Sequence, residues 1–319
     1  MKAGLTRREA IAGTAAGIGL AACGRPRLNK PLVSIVKAAG YGEDLSEKVR
    51  SILRNHKVAV RGKRIVLKPN LVEFDPSSAI NTHPLLVAAA VEAFRSMGAA
   101  SVEIAEGPGH RRNTLEMAEA AGYFGFIANF EKRFTDLNVD DVSRVKLRSP
   151  RSALKSLYLP NTALGADLLV SMPKMKTHHW VGATLSMKNF FGLVPGGVYG
   201  WPKNILHWAG IPQCIADLHA AFPRHFAIVD GIVGMEGNGP IQGKPKAVGA
   251  IVAGADMVAV DATCCHVMGI DPSRVEYLKL AETGGQTEEA NVHQIGEPIR
   301  AVRADFELIK QFEHLRLKG

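Results

Sequence analysis

The chain has 319 residues, a formal net charge of +9, and aromatic side chains at only 6% of positions. No block of Lys and Arg is interleaved with aromatics, so the excess charge argues against nucleic acid and for a small anionic ligand. It has only four cysteines and Cys23 belongs to a leader motif, so an iron–sulfur cluster with four close thiolates is not expected.

At the N-terminus, Arg7 and Arg8 precede the apolar run AIAGTAAGIGLAA, which has 13 residues. A bilayer span takes about 20. A charged start before a short apolar run is the pattern of a secretory leader, and Thr-Arg-Arg resembles a twin-arginine signal. The run closes on LAAC, Leu20 to Cys23, which looks like a lipobox. The expectation is cleavage before Cys23, lipid on its sulfur, and a lipoprotein anchored on the periplasmic or outer face of a bacterial membrane. Residues 1–22 are thus read as leader, 23–30 as linker and 31–319 as one α/β domain, undivided or split into two lobes with a cleft between them.

Residues 32–37 (LVSIVK) and 64–70 (RIVLKPN) read as strands, and 83–98 as a helix ending on Gly98. A strand over 101–109 runs into a glycine turn, and a helix over 113–123 takes Asn113 as its N-cap. Residues 124–160 carry no assignable pattern; an edge hairpin and an insertion both fit. Further buried strands follow over 167–173, 225–231 and 246–254, with helices over 256–269 and 272–284. This alternation predicts a mostly parallel sheet covered by helices on both faces.

Polar and glycine-rich clusters fall at the strand C-termini, where open α/β sheets bind ligands. KPN holds Lys68 and Asn70; Pro69 keeps Lys68 extended, so its ammonium is expected at the rim, as a ligand group or as a snorkelling strand end. Asn81 or Thr82 is a candidate cap before Pro84, and a helix start facing the rim also favours an anion. EGPG carries Glu106, and residues 231–243 carry Asp230's neighbours Glu236, Gly237 and Gly239. Such glycine density reads either as a backbone cradle for a ligand or as a plain flexible loop. No dinucleotide fingerprint or P-loop is present. Glu106, Asp230 and Glu236 are candidate bases or metal ligands.

The stretch KMKTHHWVGATLSMKN, residues 174–189, contains Lys174, Lys176, Lys188, His178, His179 and Asn189 but no acid. Crowded, buried amines lose basicity and become bases or nucleophiles near neutral pH, which makes Lys176 and Lys188 catalytic candidates. His178 and the later His207 are candidates for acid/base work or for metal binding through neutral imidazole. Asp256 is an expected N-cap. Asp261 is expected to be buried against a lysine or histidine, and the vicinal Cys264 and Cys265 to be small core residues.

KPN, Thr82-x-Pro84, KMKTH…MKNFFG, DGIVGMEGNGPIQG and DMVAVDA…MGI, in this order over Leu32 to Leu280, resemble the "domain of unknown function 362" family. Its members are often associated with ferredoxin-type segments, which implies a redox partner protein, although this chain has no such segment. A second likeness is to the lactate racemase family, which places a histidine ahead of a lysine with small residues between. Here His178 precedes Lys188, Pro195-Gly196 follows, and His207 comes later. That resemblance implies a nickel pincer nucleotide-like cofactor touched by His178 and His207 and anchored by Lys188. The expected protein is an exported, lipid-anchored enzyme, an oxidoreductase or isomerase. It would hold an anionic substrate or phosphate-bearing cofactor with Lys68, Asn70, Thr82, Lys174 and Asn189. The alternatives are a non-catalytic anion-binding surface lipoprotein and an electron-transfer partner of an iron–sulfur protein.

Overall fold

A computed structural model describes residues 30–148 and 150–318; the leader, Cys23 and the linker up to residue 29 lie outside the described residues. The chain opens with β1 (Leu32–Lys37), α1 (Leu45–Asn55), β2 (Arg64–Pro69), α2 (Pro84–Ser96) and β3 (Ser101–Glu106). Next come α3 (Thr114–Ala120), α4 (Tyr123–Phe126), β4 (Phe134–Asp136), β5 (Val142–Lys146), β6 (Ser156–Pro160) and α5 (Asn161–Leu164). The middle holds β7 (Leu168–Met172), β8 (Lys174–His178), β9 (Gly182–Thr184), α6 (Ser186–Asn189), α7 (Gly196–Tyr199), α8 (Asn204–Trp208) and α9 (Ile211–Ala221). The remainder is β10 (His225–Asn238), β11 (Gln242–Gly254), α10 (Met257–Val267), α11 (Glu276–Ala281), β12 (His293–Gly296) and α12 (Ile299–Val302).

One ten-stranded sheet runs in the order β12-β1-β11-β10-β7-β2-β3-β4, with β8 and β9 attached beside β10. Strands β10, β7, β2, β3 and β4 are parallel to one another, whereas β11 is antiparallel to both β1 and β10. Alternate residues of these strands feed two separate cores. Val66, Leu169, Val229 and Val252 join one cluster; Ile65, Val170, Ile228 and Ile251 join the other. Because successive side chains of a strand point to opposite faces, the two cores cover the two faces of one sheet. Helices α1 and α2 cover one face, and α9, α10 and α11 the other. The α/β fold with a mostly parallel, doubly covered sheet is therefore as expected.

Several local expectations change. The glycine-rich stretch 231–243 is no loop: β10 continues through it and pairs with β11 in a long hairpin, Gly237 opposite Gly243. Its glycines serve strand packing. A Cβ at Gly234 would stand 2.7 Å from the Met175 carbonyl oxygen, and one at Gly239 2.1 Å from that of Thr177. The segment after Pro173 is likewise a strand, β8, buried along its whole length. Asn113 and Asp256 cap α3 and α10 as read. At α2 the cap is His83, whose Nδ1 accepts from the Leu85 N–H at 3.2 Å. Asn81 and Thr82 are spent elsewhere, accepting from the Val72 and Asn70 N–H groups to shape the preceding loop. The helix read over 272–284 is a short 3-10 turn followed by α11. In the stretch 124–160, β4 is an edge strand, and β5 and β6 form a separate antiparallel pair.

Candidate functional site

A cavity of about 240 Å³ opens at the carboxyl ends of β2 and β3, bounded on its other sides by β8, α6 and α8. Lys68, Asn70, Glu106, Lys176, His178, Lys188, Asn189 and His207 all line it, so eight predicted site residues from four distant segments converge. The remaining six predicted residues lie elsewhere, each for a visible reason. Lys174 and Asp230 form their own buried ion pair at 2.6 Å, bridged by the Tyr41 hydroxyl. Thr82 Oγ1 donates to the Met172 carbonyl. Glu236 pairs at the surface with Lys246. Gly237 and Gly239 belong to the β10 hairpin end and its tight approach to β8.

Lys68 does not emerge at the rim. It is fully buried and its Nζ donates to both oxygens of Glu106, at 2.7 and 2.8 Å. Glu106 also accepts from the N–H groups of Leu71 and Gly107, and Lys68 donates further to Asn189 Oδ1. Asn189 in turn donates to the Lys68 carbonyl and to Ser171 Oγ, which stitches α6 to β2 and β7. Gly192 makes room for the pair: a Cβ there would stand 2.1 Å from Glu106 Oε1 and 2.5 Å from Lys68 Nζ. Burial pulls the Lys68 amine down, and the adjacent Glu106 carboxylate opposes this.

Glu106 is the sole carboxylate on the cavity wall among the described residues, against four lysines, one of them Lys203. Lys203 is buried and donates to the Gly107 carbonyl at 2.6 Å. Lys176 is fully buried and donates to the carbonyls of Ile80 and Pro240. Partly buried Lys188 sits with its Nζ 3.7 Å from the Phe191 ring centroid and makes no hydrogen bond or ion pair among the described residues. Burial, reinforced by Lys68, brings its amine down to about 7. Burial likewise lowers Lys203 to about 7, against the pull of Glu106. The Lys176 amine falls well below its usual range through burial and the neighbouring charges of Lys174 and Lys188. His178 and His207 are both pushed toward the neutral form, first by burial and then by Lys188.

Three lining residues each carry a buried polar atom with no partner among the described residues: His207 Nδ1, Asn70 Oδ1 and Thr184 Oγ1. Buried polar groups are normally paired, so a cluster of orphans marks a place where something else supplies the partner. Asp261, expected to hold a lysine or histidine, instead accepts from the N–H groups of Ser186 and Met187 and from Ser186 Oγ. It anchors the first turn of α6 and so sets where Lys188 projects. Burial raises its carboxyl to about 7 while these donors pull the other way. Two lining residues carry no signal in the sequence: Lys203 sits in no motif, and Thr184 lies among the small residues between His178 and Lys188. Lys203 follows Trp201-Pro202 at a left-handed φ of 66°, a turn that points it inward.

Fold and cavity together define a class: an α/β protein with a cation-lined pocket at the carboxyl rim of its parallel strands. The chain belongs to the family described as "Domain of unknown function (DUF362)", which matches residues 65–266. A thylakoid-associated protein from Synechocystis sp. is 30% identical over 235 residues, covering 70% of this chain and 68% of that one. Among solved structures, the lactate racemase apoprotein from Thermoanaerobacterium thermosaccharolyticum gives a TM-score of 0.45 at 16% identity, covering 76% of this chain. A structural-genomics target from Thermotoga maritima gives 0.35 at 15% identity, covering 75% of this chain. This chain spans 58% of the length of each of those two structures.

The cavity volume and donor set also bear on the implied cofactors. At about 240 Å³ the pocket falls short of the roughly 300–1,000 Å³ that holds drug-sized ligands. It matches a small anion better than a nucleotide-bearing group. Among the described residues, no three His, Cys, Asp or Glu side chains cluster as a metal site, so His178 and His207 have no third ligand of these types. Among the described residues, Cys214, Cys264 and Cys265 form no disulfide and are buried. Among the described residues, no helix is long and apolar enough to cross a membrane.

Proposed function

We propose that this protein binds a small anionic ligand in the Lys/His-lined cavity and acts on it as an enzyme by acid/base chemistry. The observation that carries this reading is the imbalance of the wall: four lysines against one carboxylate, with three orphaned polar atoms beside them. Buried cations without counter-charge are unfavourable, and an entering anion removes that penalty. Lys188, brought down to about 7, is poised between proton donor and acceptor, and neutral His178 and His207 stand beside it as acceptors. We further propose that the protein is exported and lipid-anchored through Cys23; the paired arginines and the LAAC motif support this. The Synechocystis relative is itself described as thylakoid-associated.

The binding test is a titration with phosphate, sulfate and small carboxylates, followed by thermal unfolding. A bound anion should stabilise the protein by about 2.7 kcal/mol at a hundred times its Kd, and Lys188→Met should abolish the effect. No stabilisation by any anion, or stabilisation indifferent to this substitution, would discard the reading. For the anchor, Cys23→Ser should move the protein from the membrane to the soluble exported fraction; persistent membrane association would remove the claim.

A further inference from the structure

Four lysines reach the cavity and three are tied. Lys68 is held by Glu106, Lys176 by two carbonyls, and Lys203 by the carbonyls of Gly107 and Gly192 at 2.6 and 3.5 Å. Lys188 alone among them has no hydrogen-bond acceptor among the described residues, and its Nζ rests against the Phe191 ring instead. The position is built rather than accidental. Asp261 fixes the first turn of α6 through three accepted hydrogen bonds, and Asn189 fixes its last residue to β2. His207, whose Nδ1 has no partner, packs beside the same Phe191 ring at 6.5 Å between centroids.

An amine held on an apolar surface, beside other cations and free of acceptors, is the arrangement that makes lysine a nucleophile toward carbonyl carbon. We propose that Lys188 forms an imine with a small carboxylate that also carries an aldehyde or ketone group. This rests on the anion-binding reading: Lys203 and Lys176 meet the carboxylate while Lys188 meets the carbonyl. The cavity, at about 240 Å³, favours a small partner.

The step balances as an ordinary condensation. The Nζ lone pair attacks the carbonyl carbon, the C–N bond forms, and the C=O π pair moves to oxygen. A proton passes from nitrogen to that oxygen, relayed by His207 Nδ1. The C–O bond then breaks as the second nitrogen proton passes to the leaving oxygen, so that both amine protons end on it and the products are the C=N bond and one water. At neutral pH the Lys188 amine, brought down to about 7, is available in its neutral form, whereas exposed lysines are held protonated.

The test uses the full-length protein at neutral pH with glyoxylate as the carbonyl acid and cyanoborohydride as the hydride donor that reduces any C=N bond to a stable amine. Peptide mass spectrometry should find one carboxymethyl group on Lys188, formed on the order of a hundredfold faster than on any exposed lysine. Acetate, which has no carbonyl to condense, should bind by calorimetry and protect Lys188 from labelling. Lys188→Arg keeps the charge and should lose the label; acetate protection in the unaltered protein covers the case in which that variant fails to fold. Label spread evenly over exposed lysines, label on Lys203, or no label while acetate still binds would overturn the imine and leave the anion reading standing. Failure of acetate and glyoxylate alike to bind would overturn both.

Discussion

Replacing Lys188 by Met should make the ligand-free protein more stable, and more so at low pH. The amine titrates at about 7 in the folded chain against about 10.4 unfolded. Below about pH 7 the lysine is charged in both states and folding bears the whole penalty of burying it. Between about pH 7 and 10.4 the unfolded chain alone keeps the proton, so the penalty shrinks as pH rises and is gone above that window. At about 1.4 kcal/mol per unit, the gap sets a ceiling of roughly 4–5 kcal/mol. Lys188 is only partly buried, so solvent screening reduces this, and losing the contact with Phe191 returns ~0.5–2 kcal/mol. The expected net gain at neutral pH is therefore about 2 kcal/mol. Guanidinium unfolding of both proteins at a series of pH values reads the difference directly. A Met variant that is less stable at neutral pH, or a difference flat across the series, would refute the burial of an uncompensated amine.

Three other substitutions probe the surroundings. Gly192→Ala drives a Cβ into Glu106 and Lys68; separating that buried pair should cost roughly 3–5 kcal/mol in denaturant unfolding, and an unchanged midpoint would show that the pair adapts. Asp261→Asn replaces a carboxylate accepting from two N–H groups and a hydroxyl; a loss of about 1–3 kcal/mol is expected, with weaker anion binding by calorimetry, and unaltered affinity would show that Lys188 is positioned without it. Tyr41→Phe removes the hydroxyl between Lys174 and Asp230; stability should fall by about 1–3 kcal/mol while anion binding stays unchanged, and a loss of binding would show that the two ion pairs are coupled.

Much of the fold was legible because strand burial and helix caps are local. The apolar runs of β1, β2, β3, β7 and β11 announce themselves, and Asn113 and Asp256 cap the helices that follow them. Helix α1 is equally legible, since its buried Leu45, Val49, Ile52 and Leu53 keep helical spacing. β8 was not legible. The sequence places KMKTH after a strand as cleft-lining amines, but that it pairs as a further strand depends on distant partners: the Ile80 and Pro240 carbonyls for Lys176 and Asp230 for Lys174. The glycines of β10 misled for the same reason: a close approach to backbone and a close approach to ligand ask the same thing of the chain.

By itself the sequence determined that several nitrogen-rich segments end strands of a parallel sheet, and so that they meet along one edge. That follows from periodicity and chain direction, which are local properties. Only the tertiary structure decided which amines keep a counter-charge. Lys68 finds Glu106 38 residues away and Lys174 finds Asp230 56 residues away, while Lys188 finds no acid among the described residues. Strand register and side-chain packing set those pairings, and neither is written in the neighbourhood of the lysine concerned.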